Sequence, residues 1–111
     1  VDFLATNCVG LLLEKFDDLK PKMNEWIEDE SLWVRRVAII HQLKYKERTD
    51  EEMLFRFCKA TMDEKDFFIR KAIGWALRQY SKISPDVVRT FIENNESGLS
   101  TLSIKEGSKY I

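Results

Sequence analysis

Asp66-Phe67-Phe68-Ile69-Arg70-Lys71-Ala72-Ile73-Gly74-Trp75-Ala76-Leu77-Arg78-Gln79-Tyr80 packs aromatic rings, cations and a single glycine into about four helical turns. The stretch has an echo. Ser31-Leu32-Trp33-Val34-Arg35-Arg36-Val37-Ala38-Ile39-Ile40 overlays it at an offset of 35 residues, the distance from Ser31 to Asp66, and this aligns Val34 with Ile69, Arg35 with Arg70 and Arg36 with Lys71. A further step of the same length starts a third copy near Thr101, with Ile104 at the Val34 and Ile69 position and Lys105 at the Arg35 and Arg70 position, fading at Gly107. Self-similarity at a fixed period is the mark of a stacked repeat, in which each unit buries its apolar face only against its neighbours.

Between the copies lie shorter helical patterns. One starts near Pro21, tolerated in a first turn, and shows Met23, Trp26 and Ile27 on one face. Thr49-Asp50-Glu51-Glu52 reads as a capping box, with Thr49 the cap residue, ahead of Met53, Leu54, Phe57 and Cys58. Ser84-Pro85 opens a third, carrying Val87, Val88, Phe91 and Ile92 and ending at Asn94-Asn95-Glu96-Ser97-Gly98. Ahead of all of these, Asp2 to Phe16 fits a mostly buried helix. The expected fold is all-α, a right-handed α-α superhelix (solenoid) of HEAT-like helix pairs. Its period of about 35 residues is shorter than the roughly 40 to 47 of ordinary HEAT and armadillo units. The whole of 1–111 is one domain, with repeat helices near 31–45, 66–80 and 101–110. The chain enters a helical pattern at Val1, which suggests the C-terminal portion of a longer protein.

Composition agrees with this architecture. Hydrophobic residues are 44% and charged residues 33%, with two prolines and four glycines, which leaves little for linkers or a turn-rich β fold. Eighteen Lys and Arg balance nineteen Asp and Glu, so nucleic-acid binding has to rest on a local patch rather than on net charge. Cys8 and Cys58 lack C-x-x-C spacing and read as reduced, buried thiols of a cytoplasmic protein. No apolar run reaches membrane-spanning length.

Such a patch is visible on the repeated helix. Positions three and four apart share a face, so Phe68, Lys71 and Trp75 form one stripe and Trp33, Arg36 and Ile40 the matching stripe. Stacking brings Arg36 beside Lys71. Second helices of a solenoid line its concave side, so the two cations flanked by Trp33, Phe68 and Trp75 suggest a basic and aromatic groove, although aromatics at helical spacing are more often core than functional and Trp75 by its spacing alone reads as core. Arg35 and Arg70, one position earlier, belong to the stack as salt bridges or caps. His41 is the only histidine and reads as a satisfied helix residue, while the acids Asp17, Asp18 and Glu28 to Glu30 read as solvated helix ends. No phosphate loop, nucleophile elbow or metal motif occurs, so neither a cofactor nor a metal is expected.

Leu32-Trp33-Val34-Arg35-Arg36-Val37-Ala38-Ile39-Ile40, Gln42-Leu43-Lys44-Tyr45-Lys46, Phe67-Phe68-Ile69-Arg70-Lys71-Ala72-Ile73-Gly74-Trp75 and Leu77-Arg78-Gln79-Tyr80 resemble the bacterial alkylpurine DNA glycosylases of the AlkD kind. The resemblance covers nearly the whole chain. It implies a solenoid holding duplex DNA on its concave face and removing cationic 3-methyladenine or 7-methylguanine by hydrolysis of the N-glycosidic bond, as a monomer without metal or membrane. Carried over by position, the family's catalytic carboxylate falls on Asp2, its groove arginine on Arg36 and its groove tryptophan on Trp75; Lys71, Lys44 and Lys46 are further phosphate contacts. The alternative is a non-catalytic HEAT-like scaffold that binds DNA or protein on the same face.

Overall fold

The computed structural model describes residues 10–15 and 20–109. Among them the regular elements are helical: α1 (Gly10–Lys15), α2 (Lys20–Trp26), α3 (Leu32–Ile40), α4 (Glu51–Thr61), α5 (Phe67–Ser81), α6 (Pro85–Asn94) and α7 (Thr101–Gly107). The expected all-α class holds, and the three similar stretches of sequence fall on α3, α5 and α7.

Helix α5 is the centre of the stack. Ile69, Ala72, Ile73, Ala76 and Leu77 recur at helical spacing and are all buried, which fixes the face turned to the core. Its start is set by Asp66, whose Oδ1 accepts the N–H of Phe68 at 2.8 Å and of Ile69 at 3.2 Å, satisfying two amides that no preceding turn can serve. α3 packs on one side of α5 and α7 on the other, while α4 and α6 frame the pairs. A continuous core results, running from Met23 and Ile27 through Ile39 and Ile40, Leu54, Phe57, Ile73 and Leu77 to Val88 and Leu99.

Two glycines let α7 approach closely. A Cβ on Gly74 would stand 2.6 Å from the Glu106 Cβ, and one on Gly107 would stand 3.1 Å from the Leu77 Cβ. The same contact carries a backbone link, since the Ser103 hydroxyl donates to the Arg70 carbonyl at 2.8 Å.

Local helix ends and caps differ from expectation. The helix expected over 31–45 is α3, Leu32–Ile40; the chain turns at His41, and the basic segment that follows forms a 3₁₀ turn, Lys46–Arg48. The cause is Gln42, whose amide accepts from the Asp50 N–H at 2.6 Å and donates to the Asp50 carbonyl at 3.4 Å, folding the chain back before α4. The cap of α4 is Asp50, not Thr49: its side chain accepts from Met53 N–H, and the Thr49 hydroxyl donates to the Lys46 carbonyl. Ser31 does stand at the N-cap of α3 but makes no side-chain cap bond, and its own N–H goes to the Asp29 carboxylate at 2.7 Å. The third copy is also shorter than 101–110, ending as a helix at Gly107.

Candidate nucleic-acid interface

The adjacent cations of each repeat take different tasks, because consecutive helix residues point about 100° apart. Arg35 turns back towards its own N-terminus, donating to the carbonyls of Asp29 at 2.8 Å and Glu30 at 3.0 Å and pairing with Glu64 of the next unit at 3.1 Å. Arg70 repeats the pattern, its Nε donating to the Glu64 carbonyl at 2.9 Å. Both serve the stack, as their position in the repeat suggests.

Arg36 and Lys71 turn to Trp75. The guanidinium of Arg36 lies 5.5 Å from the Trp75 ring and 5.9 Å from the Phe68 ring, and its Nη1 donates to the Phe68 carbonyl. The Lys71 ammonium stands 5.7 Å from Trp75 and 5.6 Å from Phe67. One indole is thus shared by two cations from neighbouring repeats. Beside them Trp33, Phe67 and Phe68 form an aromatic chain, with centroids 5.5 Å apart at each step, and all three are roughly half exposed. Large exposed rings in one cluster are uncommon on a soluble surface. Phe67 is an addition to the sequence reading: it aligns with Leu32, an ordinary stacking position, and nothing in the repeat shows that its ring stands over Lys71.

Arg36 departs from a simple groove lining. It is only 4% exposed, and its Nη1 is engaged by the Phe68 carbonyl of the next unit. The cationic track ends one repeat later, where Glu106 occupies the Arg36 and Lys71 position and pairs with Arg78 at 3.4 Å.

Lys44 and Lys46 lie elsewhere. With Lys82, Gln42, Gln79 and Tyr80 they line a cavity of about 660 Å³ between the C-terminal ends of α3 and α5. Lys82, the residue after α5, stands eleven positions on from Lys71, about 16 Å of helical rise. Lys46 has φ 54°, a left-handed backbone that only glycine adopts freely. Lys82 is a cation the sequence reading passed over; its place just after the last turn of α5 was the available signal.

The other candidates are structural. His41 is buried, with Nδ1 2.6 Å from the Ala38 carbonyl and its ring edge-on to Tyr45. Burial pushes the Cys58 thiol up to about 12, so it stays protonated and inert. Asp2, Cys8, Asp17 and Asp18 fall outside the described residues. No group of His, Cys, Asp and Glu among the described residues is arranged to hold a metal, and none of the described helices is long and apolar enough to cross a membrane.

In comparison with known proteins, the model of the DNA alkylation repair enzyme family matches residues 1–111. A solved structure, a predicted DNA alkylation repair enzyme from Enterococcus faecalis, is similar with a TM-score of 0.83 and 38% identity, covering 92% of this chain and 47% of that one. The chain therefore spans about half the length of that relative. No curated protein matches.

Proposed function

Because this chain belongs to the DNA alkylation repair enzyme family, we propose that it is the C-terminal part of a DNA glycosylase that hydrolyses the N-glycosidic bond of cationic alkylated purines, 3-methyladenine and 7-methylguanine, in duplex DNA. The observation that carries the reading is the meeting of Arg36, Lys71 and Trp75 around one indole, with Trp33, Phe67 and Phe68 exposed beside it.

The chemistry asks little of the protein. An alkylated purine with a positive charge is already a good leaving group, so catalysis consists of stabilising the oxocarbenium-like sugar and the attacking water more than the ground state. An ionised Asp2 carboxylate supplies both. Trp75 offers its π face to the cationic base or the sugar edge, an attraction of about 1 kcal/mol and more when water is excluded. Arg36 and Lys71 hold backbone phosphates near the lesion, and Lys44 and Lys46 hold phosphates further along, which fixes register without reading sequence. An open aromatic surface of this kind suits contact with a lesion better than the closed pocket that base flipping requires.

The test is release of 7-methylguanine from methylated duplex DNA by the longer protein that contains this chain. Asp2→Asn, with helicity retained, is expected to lower release by about 100-fold. Unchanged release would remove Asp2 from the chemistry. Salt-dependent binding of undamaged duplex without any base release would assign the fold to a scaffold instead.

A further inference from the structure

Trp75 is the ring on which recognition of a charged base depends, and two of the protein's own cations already stand within 6 Å of it. They are not equally held. Arg36 is buried and bonded to the Phe68 carbonyl. Lys71 is half-buried, no carboxylate among the described residues pairs with it, and its ammonium lies over the Phe67 and Trp75 rings, 5.6 and 5.7 Å from their centroids. A cation–π contact at a partly exposed site is weaker than a charge-assisted bond to a phosphate oxygen, and a lysine head on a four-carbon stem moves readily between them.

We propose that Lys71 is a specificity-determining residue whose ammonium closes the Trp75 face to cationic rings until a phosphodiester draws it away. This rests on the reading of the groove as a site for cationic alkylpurines. With both cations in place, a third positive charge on the indole meets like charges at contact range and is repelled, whereas a neutral ring meets no such penalty. A phosphodiester entering beside Trp33 and Phe68 offers Lys71 a full counter-charge, the ammonium swings to it, and the indole face opens. Charge recognition is thereby coupled to backbone engagement: a free cationic heterocycle is refused and the same ring carried on DNA is accepted. Glu106 limits the gate to this repeat, since the equivalent position one unit on carries an acid bound to Arg78 rather than a cation.

The experiment reads Trp75 fluorescence in the chain with Trp26→Phe and Trp33→Phe, quenched by cationic 1-methylnicotinamide or by neutral nicotinamide. The phosphodiester probe is a single strand of abasic tetrahydrofuran units, which has phosphates and no bases. Lys71→Gln is expected to raise the ratio of cationic to neutral quenching constants about threefold or more in the free protein. The abasic strand is expected to bring the protein that keeps Lys71 to the same ratio and to leave Lys71→Gln unchanged. Equal ratios for the two proteins without the strand, or an equal rise in both with it, would overturn the proposal. If the double tryptophan variant does not fold, 5-fluorotryptophan labelling of the natural chain reads the same event. The Trp75 fluorine resonance moves on adding the strand in the natural chain and stays in Lys71→Gln; identical shifts in both overturn it. Base release enters neither readout, so loss of the glycosylase reading and loss of the gate are separate results.

Discussion

Gly74→Ala tests how closely the last repeat is docked. In an unencumbered helix interior this substitution stabilises by about 1 kcal/mol, because alanine has less backbone freedom to lose. Here the new methyl would lie 2.6 Å from the Glu106 Cβ, 3.4 Å from its Cγ and 3.5 Å from the Ser103 Cα. Carbon atoms rest at about 3.5 to 4.0 Å, so α7 has to withdraw by roughly 1 Å. That shift loosens the Gly107 contact on Leu77, stretches the 2.8 Å bond from Ser103 to the Arg70 carbonyl and pulls Glu106 from Arg78. Overpacking of this degree costs about 1 to 3 kcal/mol and the weakened hydrogen bond about 1 more. After the propensity gain, the net is a loss of about 2 kcal/mol, equivalent in a domain of this size to a fall of roughly 10 °C in Tm. Urea unfolding followed by circular dichroism measures it, and hydrogen exchange locates it, with the Ile104 and Ser108 amides of α7 losing protection first. Because the clash is between two Cβ atoms, Glu106→Gly relieves it and Glu106→Ala does not. Stabilisation by Gly74→Ala alone, or rescue by Glu106→Ala, would refute the reasoning.

Arg35→Ala removes donors from two carbonyls and a partner from Glu64, and is expected to cost about 1 to 3 kcal/mol in urea unfolding. It should leave the salt dependence of duplex binding as it was. Lys71→Gln is expected to do the reverse, keeping stability within about 0.5 kcal/mol while lowering the slope of log binding constant against log salt by about 1 in a titration. Lys46→Gly relieves the left-handed backbone and should raise thermal stability by up to about 1 kcal/mol; a loss of Tm would show that the Lys46 side chain holds the turn. The Cys58 thiol, pushed up to about 12 by burial from an ordinary value near 9, keeps its proton in the native state where the unfolded chain loses it. Its contribution to stability is therefore complete below pH 9 and is lost as pH rises from 9 towards 12, by up to about 1.4 kcal/mol per pH unit. Cys58→Ala should flatten that part of a stability profile against pH, and an unchanged slope would place the titration elsewhere.

The all-α class was legible in the helical spacing of apolar residues, and the recurrence at one period left a local trace that the structure bears on at Arg35 and Arg70, each of which donates to a carbonyl just ahead of its own helix. The division of labour between adjacent cations was legible for the same reason, as helical geometry alone sends Arg35 to the stack and Arg36 to the other face. What sequence could not show depends on residues far apart in the chain. The early end of α3 comes from Gln42 gripping the backbone of Asp50 across the loop, a contact with no periodic signature. Thr49 and Asp50 are both cap residues; the acid, the stronger cap, takes the helix amide while the threonine hydroxyl closes the 3₁₀ turn. Arg36 is buried, with the Phe68 carbonyl and ring of the next unit among its neighbours, at a position that reads as open groove. The exposure of Phe67 is hidden likewise, because an aromatic ring at a repeat position reads as core until its neighbours are known.

In the proposed glycosylase, the Trp75 face, flanked by Arg36 and Lys71, receives the charged base. This is tested most directly by the rate at which the longer protein containing this chain releases base from a duplex carrying one 7-methylguanine, with Trp75 intact and with Trp75→Leu. Loss of the indole is expected to slow release about tenfold, the equivalent of about 1.4 kcal/mol of transition-state stabilisation, while affinity for undamaged duplex stays within about twofold. Equal rates with and without the indole would contradict it.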